Sequence, residues 1–287
     1  MSEDSYTAET TAKAAESGNA ATDKFLRDVK KGNIVHDVAR INRIASRIVK
    51  AINDTVIDEK VTYDEYNVFK AWLIKMGMDG EWPLFLDVWV EHSVEEVHNS
   101  QKHGSKGTIE GPYYVPNAPL HGESATIDMR PDEPGTPLRF FGQVRAVDGT
   151  PLKGAKVELW HADDLGFYSQ FAPGLPEWNL RGTFIADDEG NFEIFTMQPA
   201  PYQIPTDGSC GDLIAAAGWH AWRPAHLHLK LSADGYSLLT TQLYFTGDEH
   251  LHDDVASAVK PELVLTPTPA ADGKGVEQRY DFVLDPE

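Results

Sequence analysis

The chain has 287 residues, is 41% hydrophobic, and sets 45 acidic against 25 basic side chains for a formal net charge of −20. That length suffices for one large core or two modest ones, while the acidic excess offers nothing for phosphate contacts and excludes nucleic acid and anionic membrane surfaces as partners. One cysteine, Cys210, rules out an internal disulfide, and no apolar h-region opens the sequence and no run approaches the ~18 apolar residues of a membrane span, so a cytoplasmic protein without a membrane segment is expected.

Residues 1–22 are polar, acidic and rich in Ala, Ser and Thr, and read as a disordered tail. From 23 to about 110 the apolar spacing is helical. Ile34, Val38, Ile41, Ile44, Ile48 and Ile52 recur every three or four residues as one stripe. Thr62 followed by Glu65 is a capping-box pattern opening a second helix with Tyr66, Phe69, Trp72 and Leu73. A third helix starts at Glu81-Trp82-Pro83 and runs through Phe85, Val88 and Trp89 towards Val97, with Pro83 tolerated in its first turn. These stripes are too wide for so small a bundle, so burial against the rest of the chain or a second subunit is expected.

From Gly111 the text turns to short β-type runs: 138–147, 155–161, 182–185, 191–196, 225–231, 239–245 and 279–284, separated by turns such as Asp148-Gly149 and Asp188-Glu189-Gly190. The expected fold is α+β, a helical region over 23–110 followed by an antiparallel β-sandwich over 111–287. Cys210 falls in a polar Gly/Ser/Asp stretch without a basic neighbour, so a reactive thiolate is not expected there.

The sharpest motif is Arg223-Pro224-Ala225-His226-Leu227-His228. In a strand, residues two apart share a face, so both imidazoles could converge on one metal while Leu227 points into the sandwich. Paired structural histidines would read the same. A second pair, His250 and His252, sits in the acidic, turn-like run 247–254 and reads as a solvated loop. Tyr168 lies in Gly166-Phe167-Tyr168-Ser169-Gln170-Phe171, and Tyr202 in the proline-fenced Pro201-Tyr202-Gln203-Ile204-Pro205. Taken alone, each tyrosine is the text of amphipathic packing with a bonded hydroxyl.

Taken together, these segments resemble the intradiol ring-cleaving dioxygenases, in particular the catechol 1,2-dioxygenases of actinobacteria. The likeness runs from about Asp23 to Glu287. It is carried by Gly111-Pro112-Tyr113-Tyr114-Val115-Pro116, Val157-Glu158-Leu159-Trp160-His161-Ala162, the run 175–182, the two segments around Tyr202 and His226, and Thr241-Gln242-Leu243-Tyr244-Phe245. The resemblance implies an iron(III) enzyme that opens catechol with dioxygen to cis,cis-muconate. It places Tyr168 and His226 as equatorial ligands and Tyr202 and His228 as axial ones, with Tyr202 leaving the metal as it takes a substrate proton. It sets Arg223 facing the bound ring and Gln242 orienting the substrate. Leu73, Met76, Gly77, Ile109, Gly111, Pro112 and Tyr113 would line the ring, and Gly77 would leave room for a small substituent. A homodimer, with a phospholipid held between the N-terminal helices, is also implied.

The donor types make chemical sense. Phenolate is a hard anion suited to oxidised iron, and two phenolates with one hydroxide balance a +3 charge. Two other readings compete. Gly142 to Val157 resembles the strand–turn–strand text of transthyretin-like and carboxypeptidase-regulatory domains, so the sandwich could be a binding module. A zinc hydrolase built on His226 and His228 would need a third ligand and a general base.

Overall fold

The computed structural model describes residues 37–271 and 273–287; the tail and Ile34 of the predicted stripe lie outside them. Asp37 accepts the Arg40 N–H and caps α1 (Val38–Asp58). Thr62 and Glu65 form the expected reciprocal capping box at α2 (Tyr63–Asp79), which stops on Gly80 in the left-handed region. The predicted third helix is two, α3 (Trp82–Trp89) and α4 (Glu91–Asn99), because Val90 leaves helical geometry at φ −128°.

The described residues form two compact units. One holds those through Pro83 with Asp207–Leu213; the other holds Leu84–Thr206 with Ile214–Glu287. In the first unit, α1 buries none of its residues, and Ile41, Ile44, Ile48 and Ile52 are each about half exposed. The Trp72 indole N–H donates to the Ser209 carbonyl, and the Cys210 N–H donates to Glu81. Cys210 therefore corrects the sequence expectation of a loop: it is buried and belongs to α5 (Ser209–Ala217). Burial, with Glu81 beside it, pushes its thiol up to about 12, so the expected inertness holds on different grounds.

The second unit contains the sheets. One has the order β1 (Leu120–His121), β5 (Arg181–Ile185), β4 (Lys156–Trp160), β9 (His226–Ser232), β10 (Leu239–Phe245), β11 (Val264–Leu265). The other runs β12 (Thr268–Pro269), β13 (Val276–Arg279), β3 (Pro137–Ala146), β6 (Asn191–Met197), β2 (Ser124–Thr126), with β14 (Phe282–Leu284) also on β3. The long pairings β3–β6, β4–β5, β4–β9 and β9–β10 are antiparallel, and parallel pieces are added at β1, β2, β11, β13 and β14. Phe140, Ile194 and Phe282 from one sheet and Phe184, Leu227 and Leu229 from the other fill the core.

The predicted strand 279–284 is divided at Tyr280-Asp281. There the chain runs so close to Gly142 that a Cβ on that glycine would lie 1.8 Å from the Tyr280 carbonyl oxygen. Asp281 also accepts the Gln143 N–H, taking the place of a strand pairing. Among the described residues, no helix is long and apolar enough to cross a membrane.

Candidate metal centre

Strand β9 reads His-Leu-His-Leu-Lys-Leu-Ser, and its alternation separates two environments. Leu227, Leu229 and Leu231 enter the core between the sheets, while His226 and His228 face a second apolar cluster built around Trp160, Tyr168, Tyr202 and Ile109. Register then delivers the neighbours. His228 stands opposite Gln242 on one side and Trp160 on the other, and His226 stands opposite Tyr244. Trp160 stacks on the His228 ring at 4.9 Å and 11°, fixing its plane.

The tyrosines arrive on two loops. Tyr168 is held by a turn that Asp163 organises: its carboxylate accepts the Leu165 and Phe167 N–H groups, and Arg130 pairs with it from outside. Tyr202 opens the two-residue strand β7 (Tyr202–Gln203), which pairs with β8 (Trp222–Arg223) and places Tyr202 opposite Arg223. The loops meet at Gly166, which has φ +84°; a Cβ there would lie 2.6 Å from the Tyr202 Cβ. Only glycine fits that approach.

Four donor groups converge as a result. Tyr168 Oη lies 3.0 Å from His228 Nε2, which lies 3.0 Å from His226 Nε2. The Tyr202 ring is 5.4 Å from that of Tyr168 and 5.5 Å from that of His226. His226 Nδ1–H donates to the Pro224 carbonyl, leaving Nε2 unprotonated and aimed into the cluster.

All four side chains are buried. Burial, reinforced by Arg223, lowers the His226 pKa to about 3, and burial with His226 beside it holds His228 well below the ordinary imidazole value, so both rings stay neutral. Burial raises both tyrosines above their ordinary value. A phenol so placed ionises only for a strong local cation. Donor atoms about 3 Å apart are what metal bonds of roughly 2.0–2.1 Å produce. Two phenolic oxygens and two neutral imidazoles in a buried cluster therefore fit a hard, oxidised metal ion such as iron(III).

Arg223 and Gln242 complete the cluster. Chain alternation alone would separate Arg223 from His226, but Pro224 and Ala225 interrupt the strand, and Arg223 Nη1 lies 3.3 Å from His226 Nε2. Arg223 donates to Gln242 Oε1 at 2.9 Å and twice to the Asp254 carboxylate. Burial works against the charge on this guanidinium, and Asp254 outweighs it. Gln242, which in a strand would commonly face solvent, is fully buried and donates to the Ile109 carbonyl.

Of the ring-lining residues expected from sequence, the second unit brings several to this place. Ile109 is buried, Gly111 (φ +71°) stands 3.6 Å from His228 Cε1 measured from an added Cβ, and Tyr113 stacks on Tyr168 at 4.3 Å. Pro112 lies between them in the chain and is half-buried. Leu73, Met76 and Gly77 lie on α2 in the other unit; Met76 is fully buried, and Gly77 lies beside Trp82. A cavity of about 390 Å³ opens beside Tyr113, Tyr168, Pro201, Tyr202 and Trp222.

Three contributors carry no signal in the sequence pattern: Asp163, Asp254 and Arg181. Arg181 is buried, donates to Ser169 Oγ, Ser169 O and Tyr113 O, and sets its guanidinium 5.9 Å from the Tyr168 ring. It stands in the run 175–182, whose role no periodicity discloses.

Comparisons with known proteins bear on the family of the chain. The family model described as "Dioxygenase" matches residues 109–286, and that described as "Catechol dioxygenase N terminus" matches 39–106. Chlorocatechol 1,2-dioxygenase of Rhodococcus opacus is 42% identical over 79% of this chain and 89% of its own length. Catechol 1,2-dioxygenase 1 of Acinetobacter lwoffii is 35% identical over 90% of this chain and 84% of its own. The crystal structure of 3-chlorocatechol 1,2-dioxygenase from Rhodococcus opacus 1CP superposes with a TM-score of 0.83 at 44% identity, covering 88% of this chain and 100% of that one. The fold, the domain pair and the sequence likeness coincide along most of the chain, which therefore belongs to the intradiol dioxygenase family.

Proposed function

We propose that the chain cleaves catechol between its two hydroxylated carbons, consuming dioxygen and yielding cis,cis-muconate, with iron(III) held by Tyr168, Tyr202, His226 and His228. The observation that carries this reading is the convergence of two phenols and two neutral imidazoles in a buried pocket. When bound, iron(III) supplies Lewis acidity that renders a chelated catecholate reactive towards dioxygen.

The chain's own residues do the rest. Tyr168, His226 and His228 are fixed by the Asp163 turn, the Pro224 carbonyl and the Trp160 stack. Tyr202 sits on a two-residue strand, the less restrained mounting, and receives a catechol proton at Oη. Arg223 presents a permanent positive charge where the ring gains electron density, and Gln242 braces it. Tyr113, Gly111, Pro112 and Ile109 border the ring in this reading. Residues 23–110 serve as the association domain of a cytoplasmic homodimer that can shelter a phospholipid between its helices, and 111–287 serve as the catalytic domain.

Relatives named for catechol and for chlorocatechol both match this chain, and a chlorocatechol is the alternative preferred substrate. The test is a visible spectrum of the iron-loaded protein. A broad phenolate-to-iron band that shifts when catechol is added without oxygen is expected. A protein that stays colourless after loading would remove the tyrosines from the ligand set. Relative kcat/KM for catechol and 3-chlorocatechol then assigns the preferred ring.

A further inference from the structure

We propose that the chain carries a second metal site, distinct from the iron centre, in which His220, His250 and Asp253 bind a borderline divalent cation such as zinc. Their ligating atoms all lie within 4.8 Å of one another. The Asp253 carboxylate spans the two rings, with Oδ2 3.4 Å from His220 Nε2 and Oδ1 3.2 Å from His250 Nδ1. Two ligands bound at about 2.0–2.2 Å in a tetrahedral array stand roughly 3.4 Å apart, so both carboxylate spacings already match, and the ring nitrogens have at most about 1.4 Å to close from the 4.8 Å limit.

The three residues come from two segments that are firmly joined. Asp248 accepts the N–H groups of His250 and Ala225, the Val255 N–H donates to the Trp222 carbonyl, and Asp254 grips Arg223. Trp222 stacks flat on the His250 ring at 5.0 Å and 6°, which fixes its orientation. His220 and Asp253 are exposed and His250 is half-buried, so a cation can enter from solvent and keep water in its remaining positions.

The donor set selects the ion. Two imidazoles with one carboxylate suit zinc, nickel or copper(II); calcium and magnesium demand an oxygen shell that this trio lacks. Asp248, Glu249, Asp253 and Asp254 add local negative potential. One contact opposes binding. The Trp222 N–H donates to His220 Nδ1 at 3.1 Å, so the neutral ring carries its proton on Nε2, facing Asp253. A cation at Nε2 requires that proton to sit on Nδ1, and the Trp222 bond is then given up. Affinity is therefore below that of a closed structural zinc site, and occupancy is felt at Trp222, which lines the cavity beside Tyr168 and Tyr202.

The test uses the iron-loaded full chain, titrated calorimetrically with zinc chloride in chelator-free buffer, alongside His220→Gln and Asp253→Asn. One saturable zinc per chain is expected, unaffected by millimolar magnesium and weakened about tenfold or more in each variant, with iron content and thermal midpoint unchanged. No saturable uptake would overturn the proposal, and would leave the trio as two imidazoles bonded to a carboxylate. Uptake of equal strength in both variants, as follows if zinc enters at His226 and His228, would overturn it as well.

Discussion

Arg223 is the residue on which the electrostatics of the centre turn. It is a buried cation, 3.3 Å from His226 Nε2, and Asp254 accepts from both its Nε and Nη2. Asp254 is itself organised by the Ala256 and Ala258 N–H groups; burial works against its ionisation, and Arg223 with those bonds prevails. Breaking one partner of a buried pair leaves the other uncompensated, at a cost of about 3–5 kcal/mol. Asp254→Asn, which preserves shape and removes charge, should therefore lower the thermal midpoint and reduce kcat more than it raises KM. The iron band should persist, since no proposed ligand is touched. An unchanged midpoint and kcat would show that Arg223 needs no counter-ion. Arg223 was visible from sequence through the segment it shares with His226. Asp254 was not, because it is 31 residues away in an acidic run where nothing marks one carboxylate as buried.

At the scale of elements, the strand carrying both histidines was the most legible part of the molecule. Period-2 alternation assigns Leu227 to the core and both histidines to the opposite face, as found, and Leu229 and Leu231 continue the pattern. The long strands and the capping box of α2 were equally readable, each having a local cause. The two-residue pieces were not: β7 and β8 are too short for any periodicity, yet their pairing puts Tyr202 opposite Arg223. Nor could α5 be read in the Gly/Ser/Asp run around Cys210. The loop meeting at Gly166 offers a sharp test of how far these short elements set the metal geometry. Ala at a positive φ costs about 1–2 kcal/mol wherever it is placed. At Gly149 (φ +88°) nothing lies within 4 Å of an added Cβ, so Gly149→Ala should show that cost alone. At Gly166 the same substitution also forces the Tyr168 and Tyr202 loops apart. Gly166→Ala should thus lower iron affinity by about 10–100-fold, and Gly149→Ala should leave it unaltered. Equal iron affinities in the two variants would mean that the loops accommodate a methyl without moving the donors.

For the whole molecule, the open question is what covers the helical stripe. In the single chain Ile41, Ile44, Ile48 and Ile52 of α1 are 46–57% exposed. Spacing made that stripe legible, but no property of one sequence names its cover, since a second copy and another segment would select the same apolar pattern. Charge supplies a handle. Two chains of net charge −20 repel, so an apolar interface between them must overcome a long-range term that salt screens over about 10 Å at 0.1 M. Sedimentation should find a particle of twice the 31.8 kDa chain mass, with dissociation favoured at low ionic strength. Ile44→Glu with Ile48→Glu places carboxylates in the stripe and should give a monomer at any salt concentration. The metal donors belong to the other compact unit, so that monomer should retain the tyrosinate band after iron loading. A variant still at twice the chain mass would move the interface off α1. A wild-type monomer at moderate salt would mean that the stripe is covered by something other than a second copy of the chain.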